Sequence, residues 1–175
     1  MLKKYLLLAA VSAAVAVSAE NLVRNGDLTQ GAKGWSFSAW TKSPGGLKLG
    51  EENGKKFITL FNPGDTRFST MCVQQVRLEP DTEYRYRFSM RTKDVKRHTQ
   101  GKVNHGAGIS ITCGRDLFSG TSQRWFNIEG TSGWTVYQGQ FNTGKIGSKP
   151  VSLYLSLTMC SGAADFSDIS IEMVK

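Results

Sequence analysis

Groups able to move protons, attack carbonyls or hold metals are thinly spread along this chain. It has 14 acidic residues, and those nearest one another stand in turns. Glu51 and Glu52 fall in LGEENGKK, Glu79, Asp81 and Glu83 belong to the turn LEPDT and the strand start beside it, and Glu129 stands alone in a polar loop. Cleaving a glycosidic bond takes two carboxyl groups roughly 5–10 Å apart across a cleft. Turn acids carry exposed charge instead, and none of these pairs on one face of an alternating segment. G-x-S-x-G, H-E-x-x-H and the phosphate-binding P-loop are all absent. His98 and His105 share a basic segment without an acidic or Cys companion, which is a poor metal-ligand set. Cys72, Cys113 and Cys160 leave one thiol over from any pairing. Three pairings are open, and no C-x-x-C spacing points to zinc or redox work. Nothing here asks for catalysis.

Rings beside hydroxyls and amides offer a different chemistry, stacking combined with hydrogen bonding. VSLYLSLTM sets Tyr154 among Ser152, Ser156 and Thr158, while Val151, Leu153, Leu155, Leu157 and Met159 take the other side. Trp40 precedes the turn TKSPGG, and Trp125 stands in TSQRWFNIEG beside Gln123, Arg124 and Phe126. Each ring has a structural rival. Tyr154 suits cross-strand packing, Trp40 suits core filling, and either Trp125 or Phe126 suits plugging the end of a domain. Arg67, Arg85, Arg87 and Arg91 suit bidentate pairing with carboxylates or sulfates, but a solubilising strand face is the favoured reading.

The elements that must position these groups are strands. After residue 20 no long 3.6-residue apolar stripe occurs; strict alternation bounded by Gly, Asn and Pro recurs instead. TEYRYRFSMR puts Tyr84, Tyr86, Phe88 and Met90 on one face and Arg85, Arg87, Ser89 and Arg91 on the other. Runs of this kind predict about nine strands, over 21–24, 35–40, 56–61, 71–78, 83–91, 107–113, 134–141, 151–159 and 166–174. The polar segment 92–106 reads as a long exposed loop. Many short strands with no repeat and no linker predict an all-β antiparallel sandwich.

Lys3 and Lys4 precede an uncharged apolar run over 5–17, and Val17-Ser18-Ala19 offers small residues for cleavage. Residues 1–19 therefore read as a signal peptide, and 20–175 as one domain of ordinary size. An exported product is expected: secreted, periplasmic or at the cell surface. No later segment is long and apolar enough to span a bilayer. Removing the two lysines lowers the formal charge of +8 to +6. This suits an anionic glycan or a wall surface, but equally plain solubility. Nucleic acid lacks any defined motif.

The opening stretch NLVRNGDLTQGAKGWSF resembles the N-terminal signature of carbohydrate-binding modules of the families four, nine and twenty-two group, which are galactose-binding-like jelly rolls. Asn25-Gly26-Asp27-Leu28 and Gly34-Trp35 carry the likeness. VQQVRLEPDTEYRYRFSMR, GWTVYQGQF and ADFSDISIEMV follow in the family's order, so the resemblance covers nearly all of 21–174. Gly26 and Gly31 would permit turns that other residues resist. Trp35 and Trp134 would each anchor one end of the core, on the large area a Trp buries.

The resemblance implies a ligand lying across one sheet, on outward positions Ser36, Ser38, Gln74, Ser110, Thr112, Ser152, Tyr154 and Ser156. Beside it, Trp40 stands where an exposed indole at a rim would stack a sugar, and either Trp125 or Phe126 would face the cleft while the other plugs the end. Gln74 has a rival reading as a buried structural amide. A structural calcium between the N-terminal segment and the last strand is also implied, with Asp168 and Asp27 as its carboxylates. Thr29 stands where the family has Glu, which weakens a site that favours carboxylate oxygens. The reading is an exported, non-catalytic carbohydrate-binding protein that holds poly- or oligosaccharide by stacking and hydrogen bonds. Its partner would be a glycan, together with a separate glycoside hydrolase or a cell-surface component. The alternatives are a structural or adhesive surface protein, and a glycoside hydrolase or a subunit of one.

Overall fold

The computed structural model describes residues 20–39, 44–64, 66–98, 105–112, 124–146 and 150–174, with backbone only at 39 and 124–127. Among these residues there is no helix, and ten strands form two antiparallel sheets. The strands are β1 (Ser36–Ala39), β2 (Gly46–Glu52), β3 (Lys55–Asn62), β4 (Thr70–Val76), β5 (Glu83–Arg97), β6 (Gly106–Thr112), β7 (Arg124–Ile128), β8 (Gly130–Asn142), β9 (Val151–Thr158) and β10 (Cys160–Met173). One sheet runs β1-β4-β9-β6-β7 and the other β2-β3-β10-β5-β8. The expected β-sandwich jelly roll is the observed fold.

Alternation decides which faces meet. Leu153, Leu155 and Leu157 of β9 are buried against Tyr84, Phe88 and Met90 of β5 and Phe166 and Ile171 of β10 within one core. Burying such side chains stabilises the fold by about 1.5–3 kcal/mol each. Trp35 joins this core at 8% exposure. Trp134 does not. It is partly exposed on the outer side of the second sheet, so the expectation of an internal anchor at that end fails.

The N-terminal segment is turns rather than the strand expected at 21–24. Two asparagines organise it. Asn21 accepts from the Ile171 and Val23 amides and donates to the Ile169 carbonyl. Asn25 Nδ2 donates to the carbonyls of Gly31 and Lys33, while its Oδ1 accepts from the Gln30 amide. Gly31 has φ 63, a turn-type backbone. Gly26 is needed for a different reason: a Cβ there would run into the Ile169 carbonyl, because the Ile169 amide bonds the Gly26 oxygen at 2.9 Å.

Three further differences bear on the site. Strand β2 was not foreseen, because glycines occupy its alternate positions 46 and 50. Phe61 and Phe57 of β3 lie over those glycines, so a Cβ at Gly46 would come within 2.7 Å of the Phe61 ring. The segment 92–97 continues β5 instead of opening the long loop, and pairs with β10. Residues 124–128 form β7 beside β6.

Candidate functional site

Across the first sheet the outward side chains line up in rows. Ser36, Val73, Tyr154 and Ser110 stand opposite one another on β1, β4, β9 and β6. Gln75, Ser152 and Thr112 make a second row, and Ser38, Met71, Ser156 and Gly108 a third. Strands lie ~4.8 Å apart, and same-face residues ~6.7 Å apart along a strand. Tyr154 is therefore a partly exposed ring among hydroxyls. On β4, β9 and β6 none of the outward side chains is charged.

The structure brings Ser110, Ser152, Tyr154 and Ser156 onto this one face. Ser156 is only 9% exposed, and its Oγ donates to the Gly108 carbonyl at 3.2 Å. Ser152 Oγ accepts from Gln75 Nε2 at 2.8 Å. Gln74, expected on this face, points the other way and is 2% exposed. Its Oε1 accepts from the Arg24 amide at 2.7 Å, and its Nε2 donates to the Arg24 carbonyl at 2.9 Å. The amide thus satisfies a segment that has no strand partner there. Gln75 is the outward glutamine. In TMCVQQV apolar residues occupy both parities, so only the inward Cys72 and Val76 reveal the phase. Trp40 lies outside the described residues. Trp125 is placed by backbone alone, on β7 opposite Ile109.

The two carboxylates expected at a calcium each have other partners, on separate parts of the structure. Asp168 is ion-paired with Lys55 and accepts from Ser89 Oγ at 3.0 Å. Asp27 turns onto its own segment, accepting from the amide and hydroxyl of Thr29. Among the described residues no three His, Cys, Asp or Glu side chains gather as a metal group. Burial works to raise the Asp168 pKa, but the Lys55 and Ser89 hydrogen bonds and the fields of Lys55 and Arg87 lower it. Glu52 is lowered as well, by hydrogen bonds from Trp134 and Arg91. A general acid needs a raised carboxyl, and both shifts run the other way.

Cys72 and Cys160 are free and buried, so no bridge joins these two. Burial pushes both thiols up to about 12. Cys113 lies outside the described residues.

The outer face of the second sheet holds a cluster that alternation alone does not reveal. Arg91 bonds Asp165 and Glu52 and lies 5.0 Å over the Phe57 ring and 4.8 Å over Trp134. Phe57 and Trp134 meet edge-to-face at 5.6 Å, and Lys55 lies 4.9 Å over the indole. Thr59 donates to Asp165 at 2.6 Å. The one sequence signal was KKFITLF, where Phe57, Thr59 and Phe61 share the side opposite Ile58 and Leu60. Arg85 also has a partner, Glu172 at 2.8 Å.

No protein-family model and no curated protein matches the chain. Solved structures do. A structure described as "CBM4 structure and function" is similar at TM-score 0.58 and 15% identity, over 87% of this chain and 99% of that one. The carbohydrate-binding module TmCBM61, solved with beta-1,4-galactotriose, is similar at 0.59 and 16%, over 89% and 100%. The enzymatically active domain of tailspike protein 4 from bacteriophage CBA120 is similar at 0.62 and 12%, but this chain spans only 21% of its length. At these identities the likeness establishes the fold, a sandwich shared with carbohydrate-binding modules.

Proposed function

We propose that this chain is an exported, non-catalytic carbohydrate-binding protein that holds poly- or oligosaccharide on the outer face of the β1-β4-β9-β6-β7 sheet. The observation that carries the reading is the row through Tyr154. A partly exposed ring there stands in register with Ser110 and Val73, with Ser152 and Ser156 on either side of it along β9 and Gln75 in the next row, on strands without outward charge. A sugar presents an apolar ring face edged with hydroxyls. Tyr154 would stack that face, while the hydroxyls and amide exchange hydrogen bonds with its edge. Binding of this kind needs no cofactor.

A non-catalytic role is supported by the state of the acids. Glu52, Asp165, Asp168 and Glu172 each have a cationic partner, and the resolved carboxyl shifts are downward. A glycoside hydrolase or a cell-surface component is the proposed companion.

Affinity electrophoresis of the protein through gels containing neutral polysaccharides tests the reading. Retardation is expected, and Tyr154→Ala should abolish it without altering the circular dichroism. An unretarded protein on every glycan favours a protein-contact role for the scaffold. Release of reducing ends that disappears with an acidic-to-amide substitution would overturn the non-catalytic reading.

A further inference from the structure

The two sheet faces differ in charge, and the second carries its own groove. A hollow of about 690 Å³ lies between Phe57 and Thr59 of β3, Ala163 and Asp165 of β10, and Arg91 and Lys93 of β5. It adjoins a second hollow of about 350 Å³, walled by Phe61, Lys96 and Gly162. Asp94 lines both. Phe57 and Phe61 are four residues apart on one face of β3, so their backbones stand ~13 Å apart along the groove. We propose that this groove is a second glycan site, separate from the Tyr154 face, and that it takes chains bearing carboxylate groups, the uronates.

Charge carries the choice of ligand. Arg91 is committed to Asp165 and Glu52, and Lys55 to Asp168. Three other ammonium groups, those of Lys48, Lys93 and Lys96, have no acidic partner among the described residues. Lys48 lies 4.8 Å over the Phe61 ring. Against them stands Asp94, whose carboxylate accepts from Thr131. With Arg91 set against both Asp165 and Glu52, the groove counts four cations against three carboxylates and keeps one net positive charge beside two aromatic rings.

A backbone irregularity puts the lysines there. Lys93 and Lys96 have opposite parity in the sequence, so a regular strand would send them to opposite faces. Between them Asp94 adopts φ 52 and faces Gly162 at φ 103, where the β5–β10 register shifts between Ser161 and Ala163. The bulge adds one residue to β5 and restores both ammonium groups to one side. A Cβ at Gly162 would come within 2.6 Å of the Asp94 carbonyl, so glycine is required. In a bound chain, one sugar would rest by Phe57 with its carboxylate on Lys93, and a later one by Phe61 with its carboxylate on Lys96 or Lys48.

The test is titration calorimetry of the full chain with oligogalacturonate and with its methyl ester, which keeps the ring and removes the charge. Oligogalacturonate should bind, and the ester at least tenfold more weakly. Lys93→Glu/Lys96→Glu should weaken oligogalacturonate about tenfold, on the scale of two exposed ion pairs lost and reversed. Lys33→Glu/Lys145→Glu makes the same charge change outside the groove and should leave affinity within about twofold. Tyr154→Ala should leave it unchanged, which separates failure here from failure of the Tyr154 reading. Should the Glu double variant not fold, Lys93→Gln/Lys96→Gln takes its place. Equal affinity for acid and ester, equal loss in the control, full affinity in the groove variant, or no binding of oligogalacturonate would each overturn the proposal.

Discussion

Gln74 carries the clearest energetic consequence of the structure, and Gln74→Ala isolates it. The side chain is 2% exposed and makes two hydrogen bonds to the Arg24 backbone, at 2.7 and 2.9 Å. Each such bond contributes about 1 kcal/mol net, and a polar group left without a partner costs about 1–3 kcal/mol more. The Arg24 segment is part-buried, so water would replace the lost partner only incompletely. A destabilisation of about 3 kcal/mol follows, which for a domain of this size lowers Tm by about 6–12 °C. The neighbouring Gln75→Ala removes an exposed amide, and surface changes of that kind stay within about 0.5 kcal/mol. Its effect should fall on glycan affinity through the lost contact with Ser152. Urea unfolding followed by far-ultraviolet circular dichroism, run on both variants with m-values compared, reads the difference. The reasoning would be refuted by Gln74→Ala as stable as the parent, or by Gln75→Ala costing as much. Gln74→Glu adds a sign test. The new carboxyl would be buried against a carbonyl with its folded pKa raised, so its penalty is present at neutral pH and relieved as pH falls below that value.

Gly50→Ala should cost about 1–3 kcal/mol by overpacking, because its Cβ would drive into the Phe57 ring; the displaced stack should also alter Trp134 fluorescence. Cys72 and Cys160 should resist iodoacetamide at pH 8 in the native protein and react in urea, since burial holds both thiols up to about 12; peptide mass spectrometry checks this. Asp168 and Glu52 titrate below their ordinary values of 3.8 and 4.5. Their contribution to stability is therefore present above those values and lost as pH falls through the lower folded ones. Asp168→Asn/Glu52→Gln should flatten the acid limb of a urea-midpoint profile, and an unchanged limb would contradict the assignment.

Much of the fold was legible because it rests on period-two alternation, a local property. TEYRYRFSMR and VSLYLSLTM announced their buried faces, and β5 and β9 bury Tyr84, Phe88, Leu153 and Leu155 accordingly. Tyr154 and its serines followed from the same pattern. Where both faces of a strand carry apolar residues, parity loses its meaning, and Gln74 was assigned the wrong side for that reason. Strand β2 escaped notice because its glycines are completed by rings from β3, which no local window contains.

The sequence by itself determined the class of fold, the buried faces of β5 and β9 and the polar side of β9 around Tyr154, because alternation is written residue by residue. Only the tertiary structure decided that Trp134 lies outside the core, that Arg91 is held between two rings and two carboxylates, and that Lys93 and Lys96 share a groove. Those outcomes depend on register between strands distant in the chain. A single bulged residue at Asp94 reverses the facing of everything beyond it.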